Sequence, residues 1–171
     1  MVYLISVAAL ATYGFAQKAL DVDFTNANGE LIGTSSGLQL FNGTLVSVGR
    51  DGQAPFLAGT VGTVTFTTPA FKSGDIVHGG AFGSGGSFYI STAFNVDVTA
   101  TFVAGSWAIV TLPKGTHNYF LKARIKGTLF LDGTIYKIQG AAIQLSTNTG
   151  TGLFGGSQSM SGGNTNVVTV P

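Results

Sequence analysis

The sequence predicts an all-β domain, read as a two-layer antiparallel β-sandwich of jelly-roll type, with a partly open β-barrel as the alternative. Three observations predict it. Past residue 17 no apolar stripe at helical spacing occurs, whereas short period-2 alternations recur throughout. Glycine, at 26 of 171 positions, falls between those runs as turn residues do. The runs number roughly ten or more at a spacing of about 8–14 residues, the rhythm of a sandwich or barrel. No repeat of fixed period stands out, which weighs against a β-helix or a propeller.

Taken in order, Leu20, Val22 and Phe24 alternate with Asp21, Asp23 and Thr25, and Asn28-Gly29 follows as a hairpin signal. A second pair, Asn42-Gly43, separates residues 38–41 from 44–48 in the same way. Residues 61–67 form a strand that stops before Pro69, which has no N–H for a ladder. The glycine cluster from Gly79 to Gly86 reads as a flexible loop. Phe94, Val96, Val98, Ala100 and Phe102 interleave with polar residues, as in a half-buried strand. Residues 106–112 carry the lone Trp107 and stop at Pro113. In residues 118–126, Tyr119, Leu121, Ala123 and Ile125 share one face, expected to be the core face. Phe120, Lys122, Arg124 and Lys126 share the other. Residues 128–131 turn through Asp132-Gly133 into 135–139, and 141–145 follow. Residues 17–171 thus read as a single domain. Its segment 146–171 is rich in Gly, Ser, Thr and Asn and reads as a tail or loosely held edge, with Val167, Val168 and Val170 able to add a last strand.

Residues 2–15 are uncharged and apolar, the length of a signal-peptide core and short for a bilayer span. Gly14 and Ala16 occupy the −3 and −1 positions of a cleavage after Ala16, so residues 1–16 are read as a signal peptide. Charged residues make up 9% of the chain against about 25% in typical soluble domains, while hydrophobic ones reach 44%. That balance is the reverse of a disordered chain's. The formal net charge of +1 provides no field for nucleic acid, which is not expected as a partner. There is no cysteine, so disulfides, thiol catalysis and thiolate metal sites are excluded.

Candidate sites are few. Gly33-Thr34-Ser35-Ser36-Gly37 matches G-x-S-x-G, but a nucleophile elbow needs a strand-to-helix turn and no helix is predicted. His78 and His117 lack carboxylates at fixed spacing and read as turn residues rather than metal ligands. The glycine cluster 79–86 lacks the Lys-Ser/Thr of a phosphate loop. No pair of the seven acidic residues is placed as in a glycosidase. Asp21, Asp23, Asn26, Asn28 and Glu30 form an oxygen-rich run that is a weak calcium candidate; more simply, Asp21 and Asp23 face solvent from the first strand. Lys122, Arg124 and Lys126 are a solubilising strand face or a patch for acidic polysaccharide, the latter favoured if Trp107 or Tyr119 is exposed nearby.

Several motifs together resemble a group of exported, acidobacterial-type surface proteins that carry the PEP-CTERM sorting signal. They are Leu20-Asp21-Val22-Asp23-Phe24, Gly62-Thr63-Val64-Thr65-Phe66-Thr67-Thr68, Trp107-Ala108-Ile109-Val110-Thr111-Leu112, Gly115-Thr116-His117-Asn118-Tyr119, Gly140-Ala141-Ala142-Ile143-Gln144-Leu145 and Asn148-Thr149-Gly150. The tail motifs Leu153-Phe154-Gly155-Gly156-Ser157 and Thr165-Asn166-Val167-Val168-Thr169-Val170-Pro171 extend the likeness. In such proteins the tail leads into Glu-Pro, an apolar membrane-spanning stretch and a basic end; that anchor is absent from this sequence. The resemblance implies export, exosortase-type processing and a place at the cell surface or in extracellular matrix, with the membrane reached only through such an anchor. It implies no catalytic residues. The expectation is a non-catalytic structural protein of the surface, with a carbohydrate-binding sandwich module as the alternative. Partners are extracellular polysaccharide or like subunits joined through sheet edges, and no cofactor is expected beyond the calcium candidate.

Overall fold

The computed structural model describes residues 19–50 and 52–170; the expected signal segment 1–16 lies outside the described residues. Among the described residues twelve strands form one antiparallel sheet. They are β1 (Asp21–Ala27), β2 (Glu30–Thr34), β3 (Gly37–Arg50), β4 (Leu57–Thr67), β5 (Phe71–Asp75), β6 (Gly79–Phe82), β7 (Gly85–Thr92), β8 (Val96–Thr111), β9 (His117–Leu131), β10 (Thr134–Asn148), β11 (Ser157–Ser159) and β12 (Gly162–Val170). The element between β8 and β9 is a single 3₁₀ turn, Pro113–Gly115.

The sheet closes on itself. The ring runs β1-β12-β10-β9-β8-β7-β4-β3, and β3 returns to pair with β1. The other four strands continue members of that ring. β2 follows β1 along β3, and β11 precedes β12, with one register constant linking Ser157↔Ile32 to Asp21↔Val168. β5 extends β4, and β6 leads into β7 along β8. Eight staves, each antiparallel to its chain neighbours, make an up-and-down barrel. All-β was the expectation and holds; the two-layer sandwich does not, and the alternative, a barrel, is what forms, here with its ring closed. Alternating strands suit either architecture. Only the pairing of the first strand with the last, 145 residues apart at the Asn166–Asp21 hydrogen bond, decides between them.

Eight strands enclose an interior just wide enough for side chains to fill. Phe24, Leu45, Phe102, Leu121, Ile143 and Val167 are among those that fill it. On β9 the expected faces hold: Tyr119, Leu121, Ala123 and Ile125 are buried, and Lys122, Arg124 and Lys126 are exposed. On β8 the inward parity changes between Phe102 and Ala104, where a bulge shifts the register to β9. Trp107 therefore points inward although Phe102 does too. At Gly105 a Cβ would lie 2.1 Å from the Phe82 ring, so only glycine leaves that ring its place.

Four expectations of local structure are corrected. Asn28-Gly29 and Asn42-Gly43 are not hairpins. They lie opposite each other where β1 gives way to β2 and where β3 bulges against β4. Their positive φ values (Asn28 58°, Gly29 103°, Asn42 52°) bend two neighbouring staves together, and a Cβ on Gly29 would meet Gly43 Cα at 2.8 Å. The real turn of that hairpin is Ser35-Ser36. The glycine cluster 79–86 supplies β6 and the start of β7 rather than a loop. In segment 146–170 the last strand expected at Val167, Val168 and Val170 is present as part of β12, but the segment is not loosely held: it also ends β10 and supplies β11, with Thr165, Val167 and Thr169 buried. The turn at Asp132-Gly133 stands as expected, with φ of 49° and 80°.

Candidate functional site

One rim of the barrel carries the turn at Ser35-Ser36, the β5–β6 tip (residues 76–78), the 3₁₀ turn and the loop 149–156. The tip folds onto the aromatic residues that plug this end. Trp107 Nε1 donates to Ile76 O at 2.9 Å, and Tyr119 Oη donates to Val77 O at 2.7 Å. Tyr119 Oη also accepts from Phe154 N at 3.1 Å. Within the tip, Asp75 accepts from the Val77 and His78 amides at 2.7 Å each and pairs with His78 Nδ1 at 3.1 Å. Those bonds, the His78 amide first and its ring next, hold the exposed Asp75 carboxyl below its ordinary value.

His117 Nδ1 lies 3.1 Å from Thr111 Oγ1 across the next turn. Each histidine is thus tied into its own turn. Ser35 is exposed in a two-residue turn between strands, with no helix after it. Among the described residues no group of three His, Cys, Asp or Glu is placed to hold a metal ion.

The five calcium candidates are not gathered at one point. Asp21 and Asp23 stand half-buried on the outer face of β1, where Asn166 Nδ2 donates to both, at 2.6 and 3.0 Å. Asn26 is buried on the opposite face; its Nδ2 contacts Met160 Sδ at 3.5 Å and its Oδ1 has no hydrogen-bond partner. Asn28 is exposed at the bend, and Glu30, on β2, accepts from Ser157 Oγ at 2.6 Å.

The basic row is gathered. Lys122, Arg124 and Lys126 stand in file on the outer face of β9, about 7 Å apart along the strand. Their neighbours across the ladders are small and uncharged: Ser106 and Gln144 flank Lys122, Ala104 and Ala142 flank Arg124, and Thr101 lies beside Lys126. Lys137 joins them from β10, opposite Thr128. These four are half of the eight Lys and Arg in the chain. Among the described residues the one contact at ion-pair distance is His78–Asp75, so no carboxylate lies within that distance of the row. A recess of about 420 Å³ lies over Lys122 and Arg124, and a second of about 300 Å³ adjoins Lys122, Phe120 and Val110. A third, of about 660 Å³, lies beside Lys126 and Lys137.

Trp107 and Tyr119, whose exposure would have supported sugar stacking, are both buried. Phe120, expected on this face, is half-buried beside Lys122, and a second aromatic, Tyr89 on β7, 47% exposed beside Lys126 and Lys137, is one that sequence reasoning missed. Lys137 and Ile135 were missed as well. Their placement depends on register between strands, which has no local signal. Comparison with protein-family models, with curated proteins and with solved structures finds no match to this chain.

Proposed function

We propose that this chain is a non-catalytic module of the bacterial cell surface or extracellular matrix that attaches to acidic polysaccharide through the outer face of β8–β10. One observation carries the reading: four cations collected on one outer face with no carboxylate partner among the described residues. A row of like charges repels itself and is worth keeping where an anionic partner completes it. The packed barrel interior favours a ligand taken on the outer wall. The motif resemblance supports export, and the tied histidines and the exposed turn position of Ser35 favour a role without catalysis.

The test is retention on immobilised alginate, a polyuronate, compared with neutral dextran. The protein binds alginate, releases at high salt as screened surface charges do, and passes through dextran. The triple variant Lys122→Gln, Arg124→Gln, Lys126→Gln loses three exposed contacts of about 0.2–1 kcal/mol each, a weakening of roughly three- to a hundredfold. Equal retention of the triple variant, or equal retention on dextran, would overturn the reading.

A further inference from the structure

The recess of about 660 Å³ is built differently from the rest of the basic face. Tyr89, Thr99, Thr128 and Lys137 stand side by side in register on β7, β8, β9 and β10. At about 4.8 Å per strand this row spans roughly 14 Å across the outer wall. Lys126, two residues from Thr128 on β9, brings a second ammonium diagonal to Lys137. Ile135, 71% exposed, closes the other side as an apolar wall facing solvent.

Two features open the recess. The β9–β10 ladder shifts register between Lys137 and Ala142, which leaves residues 138–141 opposite only 125–127. Its floor is made of Ala100 and Gly127, the smallest residues of its lining.

We propose that this recess is a subsite for one uronate unit of an acidic polysaccharide, a proposal that rests on the polysaccharide reading above. Tyr89 takes the apolar face of the sugar ring, whose hydroxyls meet Thr99 and Thr128, and Ile135 lies against the adjoining ring of the chain. Lys126 and Lys137 take its carboxylate. Simple inorganic anions would leave the two apolar walls unused. A nucleic acid duplex carries denser charge than isolated cations about 7 Å apart would match, and the chain's net charge of +1 draws any nucleic acid only weakly. A polyuronate, with one charge per ring, fits the sparse cations and the apolar walls together.

Calorimetric titration separates these cases, using an oligogalacturonate, the neutral galactose oligomer of equal length and an oligothymidylate. The protein takes the oligogalacturonate, with the other two at least about tenfold weaker, a difference of about 1.4 kcal/mol. Tyr89→Ala weakens oligogalacturonate binding about tenfold and leaves its salt dependence unchanged, whereas Tyr89→Phe, which keeps the ring, binds as the parent does. Lys137→Gln weakens binding and flattens its salt dependence. These side chains point outward, and unchanged melting temperatures confirm that the variants are folded. Parent-like binding by both Tyr89→Ala and Lys137→Gln, with loss on replacing Lys122 and Arg124, overturns the subsite and leaves the polysaccharide reading standing. Failure of the parent protein to bind oligogalacturonate or alginate removes both. Preference for the oligothymidylate replaces the uronate with a nucleic acid.

Discussion

Two aromatic clusters fill this barrel, and they do different work. Phe66, Phe82, Phe88 and Phe102 meet near its middle with ring centroids 5.5–6.5 Å apart, mostly edge to face. Trp107, Tyr119 and Phe154 meet near one rim at 5.2–5.5 Å. The first cluster has no polar atom and acts by volume alone. In the second, an indole N–H and a phenol hydroxyl reach the carbonyls of residues 76 and 77, and the same hydroxyl holds the Phe154 amide. Phenylalanines exclude water from the barrel. Tryptophan and tyrosine also fix where two loops rest on it.

The sharpest way to break that contrast is to truncate both clusters. Phe102→Ala deletes a fully buried ring shared by three neighbours and should cost about 3–5 kcal/mol in a urea melt. The loss is global, lowering the protection of slowly exchanging amides in every stave alike. A protein as stable as the parent would mean that the middle cluster is loosely packed. Tyr119→Phe keeps the ring and removes one hydroxyl, leaving the Phe154 N–H and the Val77 carbonyl without their partner. The expected cost is about 1–3 kcal/mol, with faster exchange at the Phe154 amide before any change at the barrel middle. Uniform loss of protection in this variant would erase the distinction between the clusters.

The smallest effect concerns the tip that the rim cluster holds. Asp75 has a folded-state pKa below its unfolded value, because the His78 amide, the His78 ring and the Val77 amide all favour the carboxylate. A depressed acid stabilises above its unfolded pKa and loses that contribution as pH falls through the folded one. Exchange at the Val77 and His78 amides should therefore quicken, relative to the intrinsic rate, on acidification below the ordinary carboxylate range. In Asp75→Asn that acid-dependent step should disappear. The same step surviving in the variant would assign it to another group.

Much of the wall was legible in the sequence, and the reason is periodicity. The inner and outer faces of β9 follow from alternation alone, and so does the file of Lys122, Arg124 and Lys126, because residues two apart must share a face. Pro113 and Asp132-Gly133 mark turns by their own backbone chemistry. What failed was whatever depends on a second strand. Asn28-Gly29 and Asn42-Gly43 carry the dihedral preferences of hairpins, yet each spends them against the other as a paired bend in adjoining staves. The glycine-rich end lacks bulky residues, so it reads as a tail or loose edge with one possible last strand; that strand forms, but it starts at Gly162, and its alternate Thr165, Val167 and Thr169 face the core. Tyr89 and Lys137 lie 48 residues apart in sequence and share a recess only because three ladders and one bulge align them.

The seam between β1 and β12 has a mechanical consequence. Leu20 N donates to Thr169 Oγ1, and Thr169 N donates to Leu20 O, so both strands leave the barrel at the same rim. Tension applied between those two ends loads the seam's hydrogen bonds one after another, as a zipper opens, and the staves part at low force. Tension between β1 and the turn at Ser35, on the opposite rim, loads the ladders in shear, many bonds at once. The same barrel is therefore weak along one line of pull and strong along another, and the pair of points through which it is loaded sets which of the two it offers.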